Sequence, residues 1–334
     1  MNQTKRWRRS TSLCTPISIM FMGLMACGSA AVAADAYPTK PIRVVVPFAA
    51  GGAADAVARL IAQPLAERLG QRVVVENKAG ASGVVGTQFT ARAAPDGYTL
   101  MIGTQSTHGV NKLFLKDIGY DPIKDFDAVT MISSYGNVLV VPANSPFKSL
   151  DQLIEHARAH PGQLTFGTSG AGSSQYLAGV LFEIKTQTKL VNIPYKGGAG
   201  AVTDLIGGQI DMAFETISAA RSLIDGNRLR ALGVTSTLPS PSLPGVVPIS
   251  AQGVKDFNMA SYLGVFAPAG TPRAVLEKLN TEIGLILKRD EVKKSLADIG
   301  MEAGDIGLDD FRARQIGDLK KWEAVVAEAG IKAE

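Results

Sequence analysis

Ile42-Arg43-Val44-Val45-Val46-Pro47-Phe48-Ala49-Ala50-Gly51-Gly52-Ala53-Ala54-Asp55 is the stretch that decides the fold class of this 334-residue chain. A β-branched run gives way to small residues, and Val57, Leu60, Ile61 and Leu65 then recur at helical spacing up to Gly70. The order reads as strand, glycine-rich turn and helix, with Asp55 placed to cap that helix. The unit recurs downstream. Val73-Val74-Val75 and residues 99–103 read as strands, the second entered through Pro95-Asp96-Gly97. Residues 138–141 form a strand before Pro142-Ala143-Asn144-Ser145-Pro146, and a helix capped by Ser149 or Asp151 stops at His160-Pro161-Gly162. Residues 164–167 lead into the turn 168–174 and a helix through Leu177, Val180 and Leu181. Residues 210–214, 229–234 and 262–267 are further strands, and Val275, Leu279, Ile283 and Leu287 mark a helical C-terminal third. Strands alternating with helices predict an α/β protein with parallel sheets covered on both faces.

The N-terminus sets the compartment. Lys5, Arg6, Arg8 and Arg9 precede an apolar stretch over residues 16–26, and small residues accumulate through Ser29-Ala30-Ala31-Val32-Ala33-Ala34. That order predicts a secretory signal peptide over residues 1–34, hence a periplasmic protein. Its apolar core of about a dozen residues is short of the roughly 20 that a spanning helix needs. Leu24-Met25-Ala26-Cys27 also resembles a lipoprotein box, which competes with cleavage near Ala33 to Ala36.

Removing the leader changes the composition argument. The formal charge of +4 comes from 34 basic and 30 acidic residues, and four of the basic ones lie in the leader. The mature chain is therefore balanced, which argues against nucleic acid as a partner. Both cysteines, Cys14 and Cys27, lie in the leader as well, so the mature body has no thiol for a disulfide, a thiolate metal site or a nucleophile. The roughly 300 remaining residues suffice for two domains.

The loops carry the functional signal. Turns at the C-terminal ends of parallel strands are where such sheets bind ligands, and helix N-termini present unpaired N–H groups to anions. Residues 48–55 lack both the G-x-G-x-x-G and the phosphate-loop spacing, so a nucleotide cofactor is not expected. Gly167-Thr168-Ser169-Gly170-Ala171 narrowly misses the G-x-S-x-G nucleophile elbow, which keeps a secreted serine hydrolase as an alternative. A serine nucleophile needs a base, and only His108, His156 and His160 exist. His156 and His160 share a helix face without a third metal ligand, so no metal site is expected. Hydroxyl-lined turns suit reversible carboxylate binding better than catalysis. Lys196 can pair with a carboxylate or be solvated, and Asp211 and Glu215 can orient a ligand hydroxyl or amine or merely cap. The structural reading is favoured for Glu215 and left open for Asp211.

Residues 37–48, with Gly51-Gly52 and Asp55, resemble the opening of the tripartite tricarboxylate transporter receptors, also called Bug-type solute receptors. Pro95-Asp96-Gly97-Tyr98-Thr99-Leu100, Pro194-Tyr195-Lys196-Gly197-Gly198, residues 204–211, Ala231-Leu232-Gly233-Val234-Thr235-Ser236 and Ala267-Pro268-Ala269-Gly270-Thr271-Pro272 agree in order along the mature chain. The resemblance implies a periplasmic-binding-protein fold of type II: two α/β lobes joined by two crossing segments, with a ligand cleft between them. It implies a first lobe over residues 35–137, a second over 138–258, and a return to the first over 259–334. Carried over position by position, the candidate ligand-binding residues are Phe48, Gly51, Gly52, Asp55, Thr104 and Ser106 from the first lobe. Ser169, Gly172, Ser173, Ser174, Tyr195, Lys196, Gly197 and Asp211 come from the second. The implied role is a monomeric, non-catalytic receptor that passes a small carboxylate (a dicarboxylate, aromatic acid or acidic amino acid) to membrane permease subunits. An extracytoplasmic sensor built on the same lobes is the other reading. Gln175-Tyr176, Tyr262 and Glu215 depart from the family pattern, and that bears on ligand identity.

Overall fold

The computed structural model describes residues 37–195, 198–304, 306–331 and 333. The leader with Cys27, and the candidates Lys196 and Gly197, lie outside the described residues. The fold below is that of the unit Pro38–Glu334.

β1 (Ile42–Val46) leads through Gly52 into α1 (Ala53–Leu69), which Gly70 ends in the left-handed conformation, φ 66°, that a side chain would strain. β2 (Val73–Asn77), α2 (Val84–Ala91) and β3 (Thr99–Thr104) follow, and β1 pairs in parallel with both β2 and β3. After a π-helical turn over Ser106–Val110 and the short α3 (Asn111–Phe114), the chain enters β4 (Phe126–Pro142). The second set of elements is α4 (Leu150–Ala159), β5 (Thr165–Thr168), α5 (Ser174–Thr186), β6 (Val191–Pro194), α6 (Gly198–Ile206), β7 (Met212–Thr216), α7 (Ile217–Asp225) and β8 (Leu229–Val234). Between the two residues considered as the cap of α4, Ser149 takes the role, its Oγ accepting the Gln152 N–H at 3.3 Å. β9 (Ala260–Pro268), α8 (Arg273–Leu287), α9 (Asp290–Asp298), β10 (Glu302–Ala303) and α10 (Leu308–Glu328) complete the chain.

The sheets are mixed rather than purely parallel, and the reason is β4. Sequence patterning exposes only its last third, because Thr130, Ser133 and Ser134 interrupt the apolar run. In the fold β4 is one 17-residue strand that serves both lobes. Its first part pairs antiparallel with β9, and residues 137–142 pair antiparallel with β7 and β8. β9 is in turn antiparallel to β3, so β4 runs in the direction of β1 to β3 but against β5 to β7. A strand that leaves one lobe and enters the other can do both only if the two parallel sets point toward each other. The C-terminal ends of β1 and β3 therefore face those of β5 to β7 across an interlobe cleft.

Alternate side chains of β4 feed separate cores. Val138 and Val140 pack with Leu205, Ala213 and Val234, whereas Leu139 and Val141 pack with Phe166, Leu177, Phe182 and Phe214. The first lobe centres on Val45, Met101, Phe126, Tyr262, Phe266 and Phe311. α10 contributes to both cores. Phe311, near its start, belongs to the first-lobe core, while Trp322 and Val325 join the second-lobe core together with Val110 and Phe114. A helix of 21 residues is about 31 Å long at 1.5 Å per residue, enough to reach across both lobes.

The two crossings meet at Thr235. Its hydroxyl accepts the Asn137 N–H at 2.7 Å and donates to the Met259 carbonyl at 2.7 Å, while its own N–H donates to the Asn137 carbonyl at 2.8 Å. No helix among the described residues is long and apolar enough to cross a membrane.

Candidate ligand-binding cleft

The first-lobe face is built by the turns after β1 and β3. Gly51 adopts φ 83°, and its N–H donates to Asp55 Oδ2 at 2.9 Å. Asp55 is 4 % exposed and also accepts from Arg59 Nε at 3.0 and 3.1 Å and from Asn77 Nδ2 at 3.0 Å. The Arg59 hydrogen bonds, with those from Gly51 and Asn77, hold its carboxyl down at about 2. Asp55 is thus a fully engaged carboxylate that shapes the turn, and its charge is neutralised before any anion approaches. Asn77 Nδ2 also donates to the Phe48 carbonyl at 3.1 Å, which fixes the start of the same turn. Gly52 is exposed, and no side chain caps the α1 N-terminus behind it. That helix end retains its partial positive charge for a ligand.

Thr104 and Thr107 lock the second turn, each hydroxyl accepting the other's N–H, at 2.9 and 3.2 Å. Tyr120 adds a hydrogen bond from its hydroxyl to the Thr107 carbonyl at 2.8 Å. Thr104 is buried by this arrangement, whereas Ser106 stays half-exposed at the cleft. Ser106 Oγ donates to the Gly172 carbonyl at 3.3 Å, which joins the turn after β3 to the turn after β5. Gly172 is buried with φ 75°, and a β-carbon there would stand 3.7 Å from Phe114 and 3.9 Å from Asn111 Oδ1. Beside this contact the Phe114 and Tyr176 rings meet edge to face at 5.8 Å.

Ser169 is exposed, and Ser173 Oγ caps α5 by accepting the Tyr176 N–H at 3.2 Å. Ser174 Oγ accepts from Asn137 Nδ2 at 3.3 Å. The structure thus brings Ser106, Gly172, Ser173 and Ser174 to one place. Tyr195 sits at the end of β6, but its hydroxyl donates to Asp204 Oδ2 at 2.8 Å and is spent within the second lobe.

Asp211 does not belong to the cleft. It precedes β7, and its Oδ2 accepts from the N–H and hydroxyl of Thr165, at 2.8 and 2.7 Å, where β5 begins. Both groups lie at the N-terminal ends of strands whose C-terminal ends face the cleft, so Asp211 clamps the far edge of the sheet. Its position one residue before a strand allows either edge, and only the strand direction decides.

Glu215, for which the sequence favours a structural role over orienting a ligand, and Asn137, which carries no such reading, both stand at the cleft edge. Glu215 lies near the C-terminal end of β7, 1 % exposed, beside the first residue of α6 and Gln175 of α5. Burial pushes its carboxyl up to about 7. Asn137 carries no pattern signal, being one of several polar residues along β4. His108 is not placed to act as a base for Ser169. His108 is wholly buried against Phe266, with Nδ1 3.0 Å from Thr107 Oγ1 and its basicity pushed down to about 3 by burial. Among the described residues no cluster of histidines and acids could hold a metal. Two surface hollows, of about 280 Å³ beside Ser242 and Met301 and about 410 Å³ beside Val180 and Glu328, lie away from Ser106, Gly172 and Glu215.

Residues 57–331 match the model of the tripartite tricarboxylate transporter family receptor. The chain belongs to that receptor family. Protein BugT of Bordetella pertussis is 36% identical to this receptor over 305 residues, covering 91% of the chain and 94% of BugT. A protein in the tcbD-tcbE intergenic region of Pseudomonas sp. strain P51 is 38% identical over 304 residues, 90% and 89% of the two chains. Among solved structures, an R. palustris protein with adipate superposes with a TM-score of 0.79 at 35% identity, covering 89% of this receptor and 100% of that chain. MatC from Rhodopseudomonas palustris with bound malate gives 0.74 at 31% identity, covering 87% and 100%. The receptor therefore has the two-lobe periplasmic-binding-protein fold.

Proposed function

We propose that this receptor captures a small carboxylate outside the cytoplasm and delivers it to the membrane subunits of a tripartite-type transporter. It acts as a monomer and performs no chemistry on its cargo. The observation that carries the reading is the opposition of two strand sets whose turns, at Gly51-Gly52 and Gly170 to Ser174, face each other at the α1 and α5 N-termini. Main-chain donors and the Ser106, Ser173 and Ser174 hydroxyls replace the hydration of a carboxylate. The carboxylates held by the adipate and malate neighbours agree with this chemistry. The leader over residues 1–34 supplies the route out of the cytoplasm. In this reading Lys196 supplies a counter-ion to the ligand.

Ligand entry requires the Ser106–Gly172 and Phe114–Tyr176 contacts to part and re-form, with Thr235 at the hinge. A thermal-shift screen of carboxylates tests the proposal. Stabilisation by at least one mono- or dicarboxylate supports it. A flat response across the acids, with sugars or cationic amino acids raising the melting temperature instead, overturns it.

A further inference from the structure

Two buried oxygens of the second lobe lack donors, although Thr216 and Gln175 hydrogen-bond to the Glu215 carboxyl. Glu215 Oε1 and Asn137 Oδ1 are both buried, and neither has a hydrogen-bond partner. The other end of the Asn137 amide is committed, donating to the Phe214 carbonyl at 2.6 Å and to Ser174 Oγ at 3.3 Å, so the amide cannot turn over without losing both. Glu215 is held as closely. A β-carbon on Gly198 would lie 3.2 Å from Oε2 and 3.6 Å from Oε1, with Gln175 Nε2 at 3.7 Å from the same point. In the ladder of β4 and β7, Asn137 is opposite Thr216 and Val138 opposite Glu215, so the Asn137 and Glu215 side chains leave opposite faces of the sheet. Ser174 links this ladder to the turn that carries Gly172, hence to Ser106 and the opposite lobe. An acceptor stripped of water and given no donor destabilises the protein unless something supplies the donor.

We propose that Glu215 is the specificity determinant of the cleft, selecting carboxylates that also carry a hydroxyl or ammonium donor. The inference rests on the carboxylate-receptor reading and deepens it. Helix N-termini and turn amides offer only donors, which suit any carboxylate oxygen. Once ionised, Glu215 offers only acceptance. A ligand ending in carboxylates alone brings further acceptors to it, and one carrying a donor satisfies it. Sites that hydrogen-bond a ligand donor reject the analogue without it, because the buried group is then left unpaired.

Titration calorimetry with matched acids, at about pH 8 where carboxyl groups ionise, tests this. The probes are succinate against malate and aspartate, glutarate against glutamate, and adipate against 2-aminoadipate. The purified receptor is expected to bind a hydroxy or amino member at least about tenfold tighter than its unsubstituted counterpart. In Glu215→Gln the advantage of the amino acid over the unsubstituted acid should fall below about threefold, because the charge that faces the ammonium and disfavours a bare carboxylate is gone. The wild-type ratio needs no variant to fold. If unsubstituted acids bind as tightly as their partners, or Glu215→Gln leaves the ratio intact, this inference is overturned and the receptor reading stands. If no carboxylate binds at all, both fall.

Discussion

Asp55 and Glu215 are buried acids beside helix N-termini, and their surroundings drive them in opposite directions. Asp55 has Gly51, Arg59 and Asn77 donating to it and sits at about 2, below its usual range. Its contribution to stability is present above the unfolded value near 3.8 and is lost as pH falls toward 2. Asp55→Ala should lower stability by about 1–3 kcal/mol in neutral denaturant melts and abolish that part of the acid limb. Glu215 is raised from 4.5 to about 7 because desolvation outweighs the help of Thr216 and Gln175. The folded state then holds a proton that the unfolded state has released, so stability falls as pH rises from 4.5 to 7 and levels off above. That shift corresponds to roughly 3 kcal/mol. Urea melts at about pH 5 and pH 8 should show the loss in the wild type, and Glu215→Gln should flatten it. A Glu215→Gln profile that still declines across this range assigns the slope to another group.

Among the elements, β4 makes the molecule one cooperative object, because it is an interior strand of both lobes. Its weak point is the junction with the second crossing, where one Thr235 hydroxyl joins Asn137 to Met259. Thr235→Val keeps the shape but leaves a buried N–H and a buried carbonyl without a partner. The expected loss is about 1–3 kcal/mol, with the denaturation m-value unchanged if the lobes still unfold together. Phe114 tests the contact between lobes. It belongs to the second-lobe core although α3 follows the turn of the first lobe. Phe114→Ala should cost about 3 kcal/mol and shift the unliganded receptor toward an open form, read as an increased radius of gyration in solution scattering. Unchanged dimensions in that variant mean that Phe114 packs without holding the lobes together.

For the whole receptor, ligand binding and closure are linked. A carboxylate that binds only the folded, closed form stabilises it by about 2.7 kcal/mol at 100 times its dissociation constant. Scattering should show compaction on addition of that carboxylate, and Phe114→Ala should weaken binding without altering which acid is preferred. A change of preference in Phe114→Ala would place the selecting groups at the lobe contact instead of at Glu215.

Local pattern was enough to reveal the strand–turn–helix units, the Gly70 stop and the small-residue turns at Gly51-Gly52 and Gly170 to Ser174, because each depends on neighbours a few positions away. The same pattern could not reveal that β4 is a single strand through two sheets, since its polar residues are buried by partners more than 100 positions distant, as Ser133 is opposite Leu263. Nor could it weigh Asp211 against Glu215. The sequence by itself determined the composition of each turn and the charge carried by each acid. Strand direction, which only the assembled sheets define, decided which end of β7 faces the cleft, and so that Glu215 and not Asp211 stands at that end.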